Sequence, residues 1–129
     1  MRTLRVGIAS YEQMKARTVA IARGDYRPAA GEPKVWFTSA ESFARVLSDR
    51  NRALLGIIAE STPGSLVRLA ELSGWKKSNL SRTLKTMERY GFVHLSRGAR
   101  GSVIPRVPYQ RISLTLSLSA PRREGAEAA

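Results

Sequence analysis

Gly74 stands between two amphipathic segments, and this arrangement limits what the chain can fold into more than any other feature. On its N-terminal side, Ser65 has the character of a helix cap, and Leu66, Leu69 and Ala70 follow at the spacing of one helical face. A glycine placed just after the last periodic residue reaches left-handed backbone without a Cβ clash, which ends a helix and permits a sharp turn. Trp75 is expected to plug the resulting corner. A second helix is predicted over residues 77–90. At about 100° per residue, Leu80, Leu84 and Met87 fall within one arc, while Ser78, Arg82, Lys85 and Arg89 lie opposite. One face of this helix is suited to packing and the other is basic.

Gly91 closes the second helix, and strand-forming runs at residues 92–97 and 102–104 then flank Gly98-Ala99-Arg100-Gly101. A two-stranded hairpin is therefore expected directly after the basic helix. Helix, turn, helix and hairpin together read as a winged helix-turn-helix. A B-DNA major groove is about 12 Å wide and accepts one helix, whose short donors reach base edges while its longer cations reach phosphates. Ser78, Asn79, Ser81 and Arg82 are accordingly the candidate base readers, and Lys76, Lys77, Lys85 and Arg89 the candidate phosphate partners. Arg82 is the sharpest of these, because a bidentate guanidinium contact to guanine discriminates by about 1–3 kcal/mol. Arg97 and Arg100, at the hairpin tip, are placed to enter a minor groove or grip backbone.

Charge points the same way. The 129 residues include 22 Lys/Arg against 10 Asp/Glu, a formal net charge of +12. The excess is uneven: residues 1–64 hold ten basic and six acidic side chains, whereas residues 65–123 hold twelve and two. A polyanion met by the second half, double-stranded DNA in this reading, is the implied partner. The absence of cysteine excludes disulfides and thiolate metal sites and fits a reducing cytoplasm. No apolar run approaches the length of a membrane span, and Arg5 interrupts the N-terminal apolar residues before a secretory signal could form.

Catalytic chemistry has little to draw on. His94 is the only histidine, and no acidic cluster accompanies it, so neither a metal site nor a general base is expected, and no cofactor. In a predicted strand, His94 reads as a half-buried structural residue. Walker and Rossmann glycine motifs are missing. The Gly98–Gly101 loop matches the GxxG that clamps RNA backbone in KH domains, but that loop joins two helices and here strand formers stand on both sides. Trp36 and Phe37 are better read as core than as a base-stacking platform.

The flanks add further elements. Leu4, Val6 and Ile8 alternate with Thr3, Arg5 and Gly7 in a strand. A helix then starts at a Ser10/Gln13 capping box, with Met14, Thr18 and Ile21 as its stripe and Gly24 as its end. A linker, residues 24–34, leads to a short strand at Val35-Trp36-Phe37 and to a helix opened by Thr38 with Glu41 and running to about Leu47. From Ser48 or Asp49 to Glu60, Leu54, Leu55, Ile57 and Ile58 form the broad face of a buried helix closed by Pro63 and Gly64. Ile112, Leu114, Leu116 and Leu118 make an amphipathic strand able to pair with the N-terminal strand of its own or another chain. The expected organisation is α+β: an arm for dimer or partner contacts at 1–47, the winged helix-turn-helix at 48–106, a strand at 107–119 and a disordered tail at 120–129.

The run Leu69-Ala70-Glu71-Leu72-Ser73-Gly74, through Lys77-Ser78-Asn79-Leu80-Ser81-Arg82-Thr83-Leu84 to Glu88-Arg89-Tyr90-Gly91-Phe92-Val93, resembles MarR-type and related winged-helix regulators. The resemblance spans roughly residues 48–106 and departs at Lys76, where those proteins place a Ser or Asp cap. Tyr11–Arg17, Trp36–Ser39 and Arg106–Tyr109 resemble short prokaryotic regulators, some of them antitoxin-like. These resemblances imply a homodimeric repressor on a palindromic operator, with Ser78, Asn79, Ser81, Arg82 and Lys85 as its DNA face. For the antitoxin-like members they also imply binding of a toxin protein through other surfaces, and that masking role is the alternative main function.

Overall fold

The computed structural model describes residues 2–116 and 118. Among these the fold is α+β, with five α-helices and two small sheets. Strand β1 (Thr3–Ile8) leads to helix α1 (Tyr11–Ala22), and β2 (Val35–Phe37) leads to α2 (Ala40–Val46). Three helices follow: α3 (Asp49–Ser61), α4 (Leu66–Ser73) and α5 (Lys77–Arg89). The chain then forms β3 (His94–Arg97), a 3₁₀ turn (Ala99–Gly101), β4 (Val103–Arg106) and β5 (Arg111–Thr115).

β1 is the middle strand of a sheet ordered β2-β1-β5, parallel to both neighbours. The alternating apolar residues of β1 do what their spacing predicts: Leu4 and Val6 are buried while Arg5 is exposed. The two terminal strands therefore pair within one chain. Gln110 fixes their register by donating its N–H to the Arg2 carbonyl at 3.0 Å and accepting the Arg2 N–H on Oε1 at 2.6 Å. Gly7 is required by close approach, since a Cβ there would stand 2.6 Å from the Trp36 ring.

One apolar core joins this sheet to the helices. Leu4, Val6 and Phe37 cluster with Leu54, Leu55 and Ile58 of α3, Leu66 and Leu69 of α4, and Leu80, Leu84 and Met87 of α5. Phe92 and Val93, expected in the hairpin strand, belong to this core ahead of β3. Phe37 stacks on Tyr90 with ring centroids 4.4 Å apart and meets Phe43 edge-on at 5.4 Å. The end of α5 is thus locked to β2 by aromatic contact.

Several local expectations are corrected. α2 is opened by Ser39, whose Oγ accepts the Ser42 N–H at 3.0 Å while Ser42 Oγ accepts the Ser39 N–H at 3.2 Å, a capping box one residue later than Thr38/Glu41. In α1 the Ser10/Gln13 box forms, but none of the helix's residues is fully buried. Thr18 turns its hydroxyl back to the Met14 carbonyl at 2.9 Å, and Ile21 is exposed. The helix is held instead through Arg17, which pairs with Glu32 at 2.9 Å and lies over the rings of Trp36 and Tyr26. α3 runs to Ser61, one residue beyond the expected Glu60, and is capped by Thr62 in left-handed backbone just ahead of Pro63 and Gly64. His94 is exposed rather than half-buried. Of the expected 107–119 strand, Arg111–Thr115 form β5, while residues 117 and 119 and the expected tail at 120–129 lie outside the described residues.

Candidate nucleic-acid interface

The local chemistry of the α4–α5 pair follows from its caps. Ser65 Oγ accepts the Arg68 N–H at 3.1 Å and starts α4. Gly74, at φ 77° and ψ 6°, ends it by donating its N–H to the Ala70 carbonyl at 2.9 Å. The chain reverses within residues 74–76, where the Trp75 N–H donates to Ser73 Oγ at 3.2 Å. Trp75 packs against the core, and the Arg50 guanidinium of α3 sits 4.0 Å above its ring. Arg50 thereby joins the corner before α5. No local pattern announces this contact, because the partners are brought together only by the packing of α3 on α4.

α5 divides cleanly. Leu80, Leu84 and Met87 are fully buried, while Lys77, Ser78, Asn79, Arg82, Lys85 and Arg89 are exposed. Ser81 is half-buried, which leaves it less reach than the other three expected base readers. Lys76 occupies the N-cap in extended backbone and makes no side-chain cap bond, so the first-turn N–H groups have no side-chain acceptor. Such a helix start favours an anion through both its free N–H donors and the helix dipole.

The one carboxylate of α5 forms no ion pair with its basic side chains. Glu88 Oε2 accepts the Leu95 N–H at 3.2 Å and ties β3 to the helix. Gly91, in left-handed backbone, and the bond from the Phe92 N–H to the Met87 carbonyl at 3.0 Å complete the exit from α5. On the other side of the hairpin, Arg106 Nη1 donates to the Pro63 carbonyl at 2.8 Å and fastens β4 to the α3–α4 connection. The hairpin is therefore pinned at its base from both strands.

β3 and β4 pair antiparallel, Arg97 opposite Val103, as the strand-forming runs predict. At the tip, the Gly98 N–H donates to the Ser102 carbonyl at 2.7 Å and Arg100 adopts left-handed backbone at φ 58°. Arg97 Nη1 reaches the Gly101 carbonyl at 3.3 Å, so it braces the tip, whereas the exposed Arg100 makes no such contact. The GxxG of this tip joins two strands, unlike the helix–helix loop of a KH domain. Phe37 is buried in the core, and the Trp36 ring lies against Gly7 and beneath Arg17; neither offers a free stacking face.

Three ion pairs occur among the described residues, Arg17–Glu32, Arg52–Asp49 and Arg68–Glu71, and none includes a cation of α5 or of the hairpin. Lys76, Lys77, Arg82, Lys85 and Arg89 thus form one exposed basic surface on a single helix, with Arg97 and Arg100 on the neighbouring hairpin. Among the described residues no group of His, Asp and Glu has the make-up of a metal site, and no helix is long and apolar enough to cross a membrane.

Comparison with curated proteins and with solved structures finds no match. A family model does match, over residues 46–114, from the last residue of α2 to the next-to-last residue of β5. That span exceeds half of the 129 residues, and the chain belongs to the HVO_A0114 family.

Proposed function

We propose that α3, α4, α5 and the β3–β4 hairpin act as a MarR-like winged helix-turn-helix that binds double-stranded DNA, and that the protein is a sequence-specific transcriptional regulator. The observation that carries this reading is the division of α5: three fully buried apolar residues on one side, and on the other exposed Ser78, Asn79, Arg82, Lys85 and Arg89, whose cations pair with no carboxylate among the described residues. A helix that presents short donors and long cations together suits a major groove, where bases lie between two rows of phosphates.

In this reading Arg82 reads a guanine, Ser78 and Asn79 reach neighbouring base edges, and Lys76, Lys77, Lys85 and Arg89 neutralise phosphates. Arg100 extends the contact from the hairpin, and Arg97 stiffens the tip that carries it. The role is binding rather than catalysis.

The test is selection of bound duplexes from a random pool, followed by titration of the selected and a scrambled duplex. Arg82→Ala is expected to weaken the selected duplex by roughly 5- to 150-fold, the equivalent of about 1–3 kcal/mol, and to affect the scrambled one far less. Equal weakening on both duplexes would remove Arg82 from base reading. Failure of any duplex to bind at low salt would overturn the reading as a whole.

A further inference from the structure

We propose that β5 is a dimerisation edge: two copies of this chain pair their β5 strands antiparallel about a two-fold axis at Thr115, joining two three-stranded sheets into one of six strands. The two edges of the β2-β1-β5 sheet are very different. The β2 edge is three residues long and is preceded by Pro33 and Lys34, features that discourage pairing with another strand. The β5 edge has no such protection. Arg111 is its first residue, and no charged side chain follows until Arg122. In a chain of net charge +12, residues 112–121 carry no charge, and the part of that run that lies in the open edge, Ile112 to Thr115, is where solvent exposure is least suited.

Apolar exposure grows along β5 and past its end. Exposure rises from 36 % at Leu114 to 51 % at Leu116 and 103 % at Leu118. Ile112 and Leu114 line an open groove of about 720 Å³, whose apolar walls include Phe43 and Leu47 at the α2 end, Leu55 of α3 and Tyr109, with Arg52 and Glu60 also in its lining. The exposed leucines need cover, and so do the apolar walls of the groove beside them.

A second copy satisfies both needs at once. With Thr115 on the axis, Leu114 faces Leu116 of the second copy and Ile112 faces its Leu118. All four side chains then share the groove side, because antiparallel partners whose numbers sum to an even value keep the alternation in phase. Each copy's exposed leucines meet the other's groove, an isologous contact in which every element is used twice. The arrangement also limits repulsion. The two Arg111 residues end up eight residues apart along the ladder, about 27 Å at 3.4 Å per residue, beyond a Debye length of about 8 Å at physiological salt.

The test is sedimentation equilibrium of the full chain without DNA, so that its outcome is independent of the DNA-binding reading. The wild type is expected to have twice the monomer mass at micromolar concentration. Leu116→Lys/Leu118→Lys is expected to sediment as a monomer with an unchanged far-ultraviolet circular dichroism spectrum, since both side chains are exposed in the single chain. A second measurement uses the lack of native cysteine: Thr115→Cys should form a disulfide-linked dimer on mild oxidation, and Ala22→Cys, exposed at the end of α1, should not. A monomeric wild type, a dimer indifferent to the two lysines, or equal cross-linking at positions 115 and 22 would each overturn the proposal.

Discussion

Neutralising Lys85 and Arg89 together isolates the phosphate-facing part of α5. Both side chains are exposed, and the hydrogen bond from Arg89 Nη2 to Thr86 Oγ1 is a weak one at 3.4 Å. Lys85→Gln/Arg89→Gln should therefore leave stability within about 0.5 kcal/mol of wild type. Each neutralised phosphate contributes about 0.9 to the slope of log affinity against log salt concentration. Lys76, Lys77, Lys85 and Arg89 together predict a slope of about −3.6 per chain, which the double variant reduces to about −1.8. Between about 50 and 200 mM salt, the wild type then loses roughly 150-fold in affinity and the variant roughly 12-fold. Fluorescence anisotropy of a labelled duplex across a salt series measures both slopes. Arg23→Gln/Arg45→Gln serves as the control, because it removes the same charge from exposed positions after α1 and on α2. If the control lowers the slope as much as the α5 pair does, only net charge matters and the assignment of α5 to the phosphates is refuted.

Two predictions concern what holds α5 in place. Leu84→Ala removes a fully buried side chain and should cost about 2–5 kcal/mol in urea unfolding; a loss below 1 kcal/mol would mean that the packed face is misassigned. Gly74→Ala must hold an L side chain at φ 77°, with no other atom within 4 Å of the new Cβ, so strain alone should destabilise by about 1–2 kcal/mol. Gly56→Ala, also unobstructed but in the interior of α3, should be neutral or stabilising by up to about 1 kcal/mol, since alanine is the better helix former.

What the sequence makes legible here is what a repeat of 3.6 or 2 residues can encode. Leu80, Leu84 and Met87 disclose the packed face of α5, Leu4 and Val6 that of β1, and Gly74 and Ser65 the helix ends. Cap assignments fail where two registers satisfy the same spacing, as at Thr38/Glu41 and Ser39/Ser42; the backbone selects the register, and Ser39 wins by its extended conformation. Met14, Thr18 and Ile21 keep helical spacing, yet Met14 is only half-buried and the other two are exposed, while one cation, Arg17, anchors α1 from between them. The contacts that aim the basic surface are harder still to read. Arg50 over Trp75 and Glu88 on the Leu95 N–H join residues with no shared period, and Arg106 to Pro63 spans 43 positions. Side chains of the candidate interface are visible in sequence, whereas the props that fix its orientation are tertiary.

The packing beneath α5 reaches outside the span that matches the family model. Residues 46–114 include α3, α4, α5 and the hairpin, yet Leu4, Val6 and Phe37 of the same core precede them, and β5 has β1 as its strand partner. Removing residues 1–45 would strip β5 of every ladder contact and take the ring of Phe37 away from Tyr90 and Phe92. Each buried side chain of this size is worth about 2–5 kcal/mol against a large-to-small change, so losing three costs on the order of 10 kcal/mol. A domain's whole stability is about 5–15 kcal/mol. The isolated 46–114 segment should consequently show no cooperative thermal transition by circular dichroism, whereas residues 1–118 should unfold in one step. A segment that melts cooperatively at the full chain's midpoint would show that the N-terminal strands merely decorate a self-sufficient unit. A segment that fails to melt cooperatively would identify them as the platform against which the basic helix is held.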